Sequence, residues 1–65
     1  MDREKFEKDV SEVLAFPENH YFEVYLKGAK IYAEAYKIEL GDIVILYSHN
    51  TVIAVVSISE IIAVG

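Results

Sequence analysis

The sequence predicts an α+β fold: an N-terminal helix followed by a five-stranded, strongly bent antiparallel small barrel, in one domain covering residues 1–65. Three observations predict it. Apolar residues recur at helical spacing up to Phe16, and beyond Pro17 they alternate or cluster in short runs. The gaps between those runs are too short for a parallel crossover, so the strands must connect as an antiparallel meander. An open sheet of four or five strands packed on the helix is the alternative architecture.

Residues 2–16, DREKFEKDVSEVLAF, form the expected helix. Asp2 is placed to cap its N-terminus, and Phe6, Val10, Val13 and Leu14 make one apolar stripe. Pro17 ends it, because the residue before a proline is pushed out of the helical region. The barrel is expected over residues 20–64. His20–Lys27 alternates, with Phe22, Val24 and Leu26 on one face, and Ala29–Ile38 returns with Ile31, Ala33 and Ala35 on the matching face. Small residues in the middle of that second strand let a sheet curl. A Gly28-Ala29 loop, with glycine in the positive-φ position of a type II′ turn, joins the two. That loop sets Tyr25 opposite Tyr32, Glu23 opposite Glu34 and Tyr21 opposite Tyr36. After a turn at Glu39–Asp42 come Ile43–Tyr47, Val52–Val56, a tight turn or short 3-10 segment at Ser57–Glu60, and a last strand, Ile61–Val64.

Composition narrows the function. A 65-residue chain buries only about 60% of its unfolded surface and needs a dense core or self-association to be stable. There is no cysteine, and the two histidines are too few for an ordinary structural zinc site, so no cofactor or metal is expected. The net charge is −5, carried as −3 over residues 1–20 (six acids, three bases) and −2 over the remainder (five acids, three bases). Neither portion is a basic patch, which disfavours broad nucleic-acid binding. Residues 43–64 hold one charged residue, Glu60, but polar breaks at Ser48–Thr51 and Ser57–Glu60 make the apolar runs too short for a membrane helix. With charged residues where a leader peptide would be apolar, the expected location is cytoplasmic, without membrane association.

At residue level the chain resembles the Sm/Lsm and Hfq proteins. Val24-x-Leu26-Lys27-Gly28-x-x-Ile31-x-Ala33 is similar to the first Sm motif, one residue shorter before the glycine. Ile38–Leu46 resembles the acidic loop and apolar strand that close that motif, and Ser57–Ile62 stands where Hfq has its turn before the last strand. The resemblance implies an SH3/Sm-like small barrel and a ring of identical subunits, with Glu39, Asp42, Ser57 and Ser59 at the RNA-loop positions. Ala33 replaces the second glycine of the motif. The aromatic and asparagine that read RNA in the family have no counterpart between Ile38 and Asp42, and Val55–Ile58 contains no cation. RNA is therefore a ligand the resemblance suggests and the acidic charge disfavours.

Two surfaces remain as candidates. The Tyr21, Glu23, Tyr25, Tyr32, Glu34 and Tyr36 face reads first as a half-solvated sheet face. As a binding surface it suits a protein partner, with Lys27 or Lys30 as rim charge. Stacking of bases on the tyrosines ranks last, since the glutamates repel phosphate, and two carboxylates alone lack further ligands for a metal. The second surface is the apolar set Val52, Ile53, Val55, Ile61, Ile62 and Val64, read as an oligomer interface because one small barrel cannot enclose both faces of both strands. His20 stands at a strand start, and His49, Ser48, Ser57 and Ser59 lie in turns, with no nucleophile–base–orienter constellation, so no enzyme activity is expected. The expected function is thus a non-enzymatic, ring-forming adaptor. The alternative is an acidic protein-binding module or inhibitor working through the Tyr/Glu hairpin face as a monomer or dimer.

Overall fold

The computed structural model describes all 65 residues. Helix α1 (Arg3–Leu14) is followed by β1 (Phe22–Leu26), β2 (Ala29–Ala33), β3 (Ala35–Glu39), β4 (Ile43–Ser48) and β5 (Thr51–Ser57), then a 3-10 turn (Ile58–Glu60) and β6 (Ile61–Val64). Asp2 caps α1, its Oδ1 accepting the Lys5 N–H at 2.8 Å. The helix stops two residues before the predicted Phe16, and the Asn19 side chain donates to the Val13 carbonyl at 2.8 Å, satisfying one of the acceptors a helix end exposes. Phe6 and Val10 are buried, Val13 is half-buried and Leu14 is at the rim.

The five-stranded barrel is corrected by the structure. Six strands form two three-stranded antiparallel sheets, ordered β2-β1-β6 and β3-β4-β5, and no barrel closes. The sixth strand arises because the predicted Ala29–Ile38 strand breaks at Glu34. Ala33 pairs with Phe22 in the first sheet, while the Glu34 N–H already donates to the Tyr47 carbonyl of the second at 2.8 Å. One chain segment thus serves both sheets by turning a corner. Ala33, fully buried at that corner, is small enough to let the layers approach. Closure fails at the other side, where β5 and β6 are joined by the 3-10 turn without pairing to each other.

The β1–β2 pairing is the second correction. The loop is Lys27-Gly28, with Gly28 (φ +74°) in its second position, and Ala29 is already paired with Leu26. Every cross-strand partner therefore moves by two: Glu23 faces Tyr32, and Tyr25 faces Lys30. A slip of two leaves each side chain on its face, so both pairings satisfy the alternation. The observed one places Lys30 Nζ 3.5 Å from Glu23 Oε1, where the predicted one set carboxylate against carboxylate.

Between α1 and the sheets lies one core: Phe6, Val10, Phe22, Val24, Ala33, Val44, Leu46, Ile58 and Ile61. Phe6 meets Tyr36 edge-on at 5.0 Å and Phe22 at 6.4 Å, an aromatic cluster that ties the helix to both sheets. Two further turns use positive φ at consecutive residues, Leu40-Gly41 (54° and 82°) and His49-Asn50 (54° and 62°). Histidine and asparagine adopt this conformation comparatively readily. For Leu40 it is a strain of about 1–3 kcal/mol.

Candidate functional site

Of the six predicted hairpin-face residues, the structure brings four together. Tyr21 and Tyr32, both half-exposed, meet edge-to-face at 5.3 Å. The Tyr25 hydroxyl donates to Glu23 Oε2 at 2.8 Å, and Lys30 completes the group, its ammonium 5.1 Å from the Tyr32 ring centre and 5.8 Å from that of Tyr25. Alternation places these side chains on the face opposite Phe22 and Val24, which are buried. The hydrogen bond from Tyr25 holds the Glu23 carboxyl below its ordinary value, with the Lys30 charge acting in the same direction. That same bond to Glu23 raises Tyr25, and burial adds to it. Lys30 is raised first by its contact with the Tyr32 hydroxyl and then by the Glu23 charge. The result is an ion pair framed by three phenol rings.

Glu34 and Tyr36 leave that face. Glu34 lies at the corner between the sheets, where its Oε1 accepts the His49 N–H at 2.6 Å. Tyr36 packs against Phe6 and Phe22, and burial raises its hydroxyl. The opposed glutamates are therefore absent as a pair.

The four positions suggested by resemblance for RNA contact gather at one end of the molecule. Ile43, next to Asp42, pairs with Ser57, and the Asp42 carbonyl accepts the Ile58 N–H at 2.7 Å. Ser57 donates its N–H to Glu60 Oε1 at 3.3 Å and shares a hydroxyl hydrogen bond with Ser59 at 2.9 Å. Glu39 is paired with Lys37 at 3.4 Å. The segments at this end thus carry three acidic residues, Glu39, Asp42 and Glu60, with Lys37 paired to the first, a charge balance that disfavours a phosphate backbone.

The apolar set divides by strand. On β5, Val52, Ile53 and Val55 are all exposed. On β6, Ile62 is exposed and Val64 is half-buried against the core, while Ile61 is 2% exposed and belongs to the core itself. Each strand lies at the edge of its sheet, and each carries an irregularity that skips one residue in the pairing, Ile53 on β5 and Ile62 on β6. A bulge of this kind re-aims a side chain, and here both side chains are isoleucines directed to solvent. The other two edges carry charge: Lys30 on β2, and Lys37 and Glu39 on β3. Neither β5 nor β6 has a charged residue of its own, although the Ile61 carbonyl of β6 accepts the N-terminal ammonium of Met1 at 3.2 Å.

No catalytic arrangement is built from the polar residues. Ser48 Oγ approaches His49 Nδ1 at 3.2 Å, but the nearby Glu34 carboxylate engages the His49 backbone and leaves the ring without an orienting partner. No three His, Cys, Asp or Glu residues are grouped to hold a metal ion. No helix is long and apolar enough to cross a membrane. The residue the sequence reading passed over is Leu40, 88% exposed at the β3–β4 turn. Its signal was a leucine immediately before the turn glycine, where a polar residue is ordinary. No protein-family model, curated protein or solved structure matches the chain.

Proposed function

We propose that the protein is a non-enzymatic adaptor that works as an assembly of identical copies, in the manner of the Sm, Lsm and Hfq proteins its motifs resemble. The observation that carries this reading is the contrast among the sheet edges. β5 and β6 have no charged residues and present Val52, Ile53, Val55 and Ile62 to solvent, with only the Ile61 carbonyl of β6 taken by the Met1 ammonium, whereas β2 and β3 carry charged residues. An unprotected apolar edge is a template for another strand. Pairing β5 of one copy with β6 of the next covers both edges, and the repeated head-to-tail contact closes into a ring if its rotation allows. The Tyr21–Tyr32 face is left free to hold a protein partner, with RNA disfavoured by the charge. The proposed compartment is the cytoplasm.

Native mass spectrometry at low micromolar concentration tests the assembly. The wild type is expected as a defined oligomer and Val55→Glu as a monomer, because the new carboxylate lies at the seam. A monomeric wild type ends the reading and leaves the alternative, a single-chain acidic binding module using the same tyrosine face. Retention of labelled oligo-U that falls steeply with salt would reinstate RNA as the ligand.

A further inference from the structure

We infer that two copies of this chain pair along β2, antiparallel about a two-fold axis through Ile31. The contact uses neither β5 nor β6, so it stands apart from the assembly proposed above. The pairing within the sheet shows which groups of β2 are free. Glu23 exchanges both backbone hydrogen bonds with Gly65, at 2.9 Å each, so its N–H and C=O face the β6 side. Backbone groups alternate sides along a strand, so Phe22 and Val24 face β2, where their partners are Ala33 and Ile31. Lys30 and Tyr32 therefore turn their N–H and C=O away from β1, toward the open edge of the sheet, where no backbone group of the chain meets them. A lysine ordinarily guards such an edge. Here the Lys30 ammonium is drawn back across the sheet instead, 3.5 Å from Glu23 Oε1 and over the Tyr32 and Tyr25 rings.

The occupant and its register follow from what this edge can pair with. Only residues whose backbone groups point outward exchange hydrogen bonds across a new seam. Lys30 against Lys30 of a second copy sets like charges directly opposite, which is destabilising. Tyr32 against Tyr32 brings Lys30 to Glu34, whose N–H already donates to the Tyr47 carbonyl. Lys30 against Tyr32 remains. The two-fold axis makes that pair twice, once on either side of the facing, half-buried Ile31 side chains. In the same register Gly28 of one copy reaches the corner at Glu34 of the other, and the adjacent Lys27 comes to that carboxylate. Lys27 is the one cation of six without a partner in its own chain, since Arg3, Lys5, Lys8, Lys30 and Lys37 are each paired within 4.0 Å. The edge is thus complementary to itself in hydrogen bonds and in charge. Pairing sets the two Tyr21–Tyr32 faces side by side on one continuous sheet and leaves both open.

A single short edge buries little surface, so the pair forms only at high concentration. The test carries Val55→Glu, a monomer at low micromolar concentration, up to about 0.5 mM in sedimentation velocity, with amide exchange read by NMR at both ends of the series. The expected result is a dimer at the upper end, with the Lys30 and Tyr32 amides exchanging several-fold more slowly there and the His49 amide unchanged. Lys27→Glu added to that background should weaken the dimer about tenfold, because two exposed attractions become repulsions. Mixing it with Glu34→Lys in the same background should restore pairing, since each copy then meets opposite charge at both ends. A monomer at about 0.5 mM overturns the inference. A dimer in which the two amides exchange as in the monomer, or in which Lys27→Glu changes nothing, overturns it as well. If Val55→Glu does not fold, the same two amides are read in the wild type, where they slow with rising concentration only if β2 pairs. A wild type that is monomeric at low micromolar concentration ends the pairing of β5 with β6, and the β2 pair is then read on that chain in the same way.

Discussion

Gly28 holds φ at +74° with no atom close to where a Cβ would sit, so substitution there acts through backbone conformation alone. Gly28→Ala is expected to destabilise the fold by about 1–2 kcal/mol, and Gly28→Val by more because a β-branched residue tolerates positive φ least. Gly28→Asn should recover most of the loss, and thermal denaturation of the three variants gives the order. Glu23 makes a different kind of statement. Its carboxyl is held low by Tyr25 and then by Lys30. A group whose folded value is depressed contributes stability that is present above its unfolded value and lost as pH falls through the folded one. Melting of the wild type should therefore decline on acidification below the ordinary carboxylate value of 4.5, and Glu23→Gln should flatten that part of the decline. An identical acid limb in the two proteins would mean that the Tyr25–Glu23–Lys30 group is not formed in solution. Glu34→Gln is expected to bring no stabilisation, since Glu34 faces a backbone N–H and not a second carboxylate.

Among the elements, α1 was the most legible in the sequence. Asp2, the Phe6–Val10 spacing and Pro17 each act within a few residues, and the predicted cap is the observed one. Asp2→Ala is expected to lower stability by about 0.5–2 kcal/mol in chemical denaturation. The strands were legible as runs, and so was the 3-10 turn over Ile58–Glu60. Their partners were less so. Alternation fixes which face Glu23 and Tyr25 occupy but is indifferent to a shift of two, and the choice between Gly28-Ala29 and Lys27-Gly28 depends on which loop position takes the positive φ. The skipped residues Ile53 and Ile62 have no local signature at all, because a bulge is decided by how two strands twist against each other. The corner at Glu34 was half-legible. Ala33 and Ala35 marked a place where the sheet could bend, but the break into β2 and β3 depends on the distant Tyr47 carbonyl. Ala33→Leu, which forces three extra carbons into that fully buried corner, is expected to destabilise by about 1–3 kcal/mol.

At the scale of the whole molecule, sequence reasoning inferred closure from the number and shortness of the strands. Closure depends on whether β5 and β6 meet, and the intervening 3-10 turn carries them into separate sheets. Two sheets with open edges explain the apolar surface that remains. They also give a concentration test independent of any variant: a chain stabilised by its own copies melts higher as its concentration rises, whereas a monomer does not. The corner has one more consequence, for the way the molecule opens. Each sheet has its own hydrogen-bond ladder, and Glu34, which directly follows Ala33 of the first sheet, bonds to the second, with its backbone N–H on the Tyr47 carbonyl and its carboxylate on the His49 N–H. The His49 amide lies in an exposed turn, where hydrogen exchange is ordinarily fast. Latched by Glu34, it should exchange only when the latch opens, so this one surface amide reports the release of the β2–β3 corner from the β4–β5 turn.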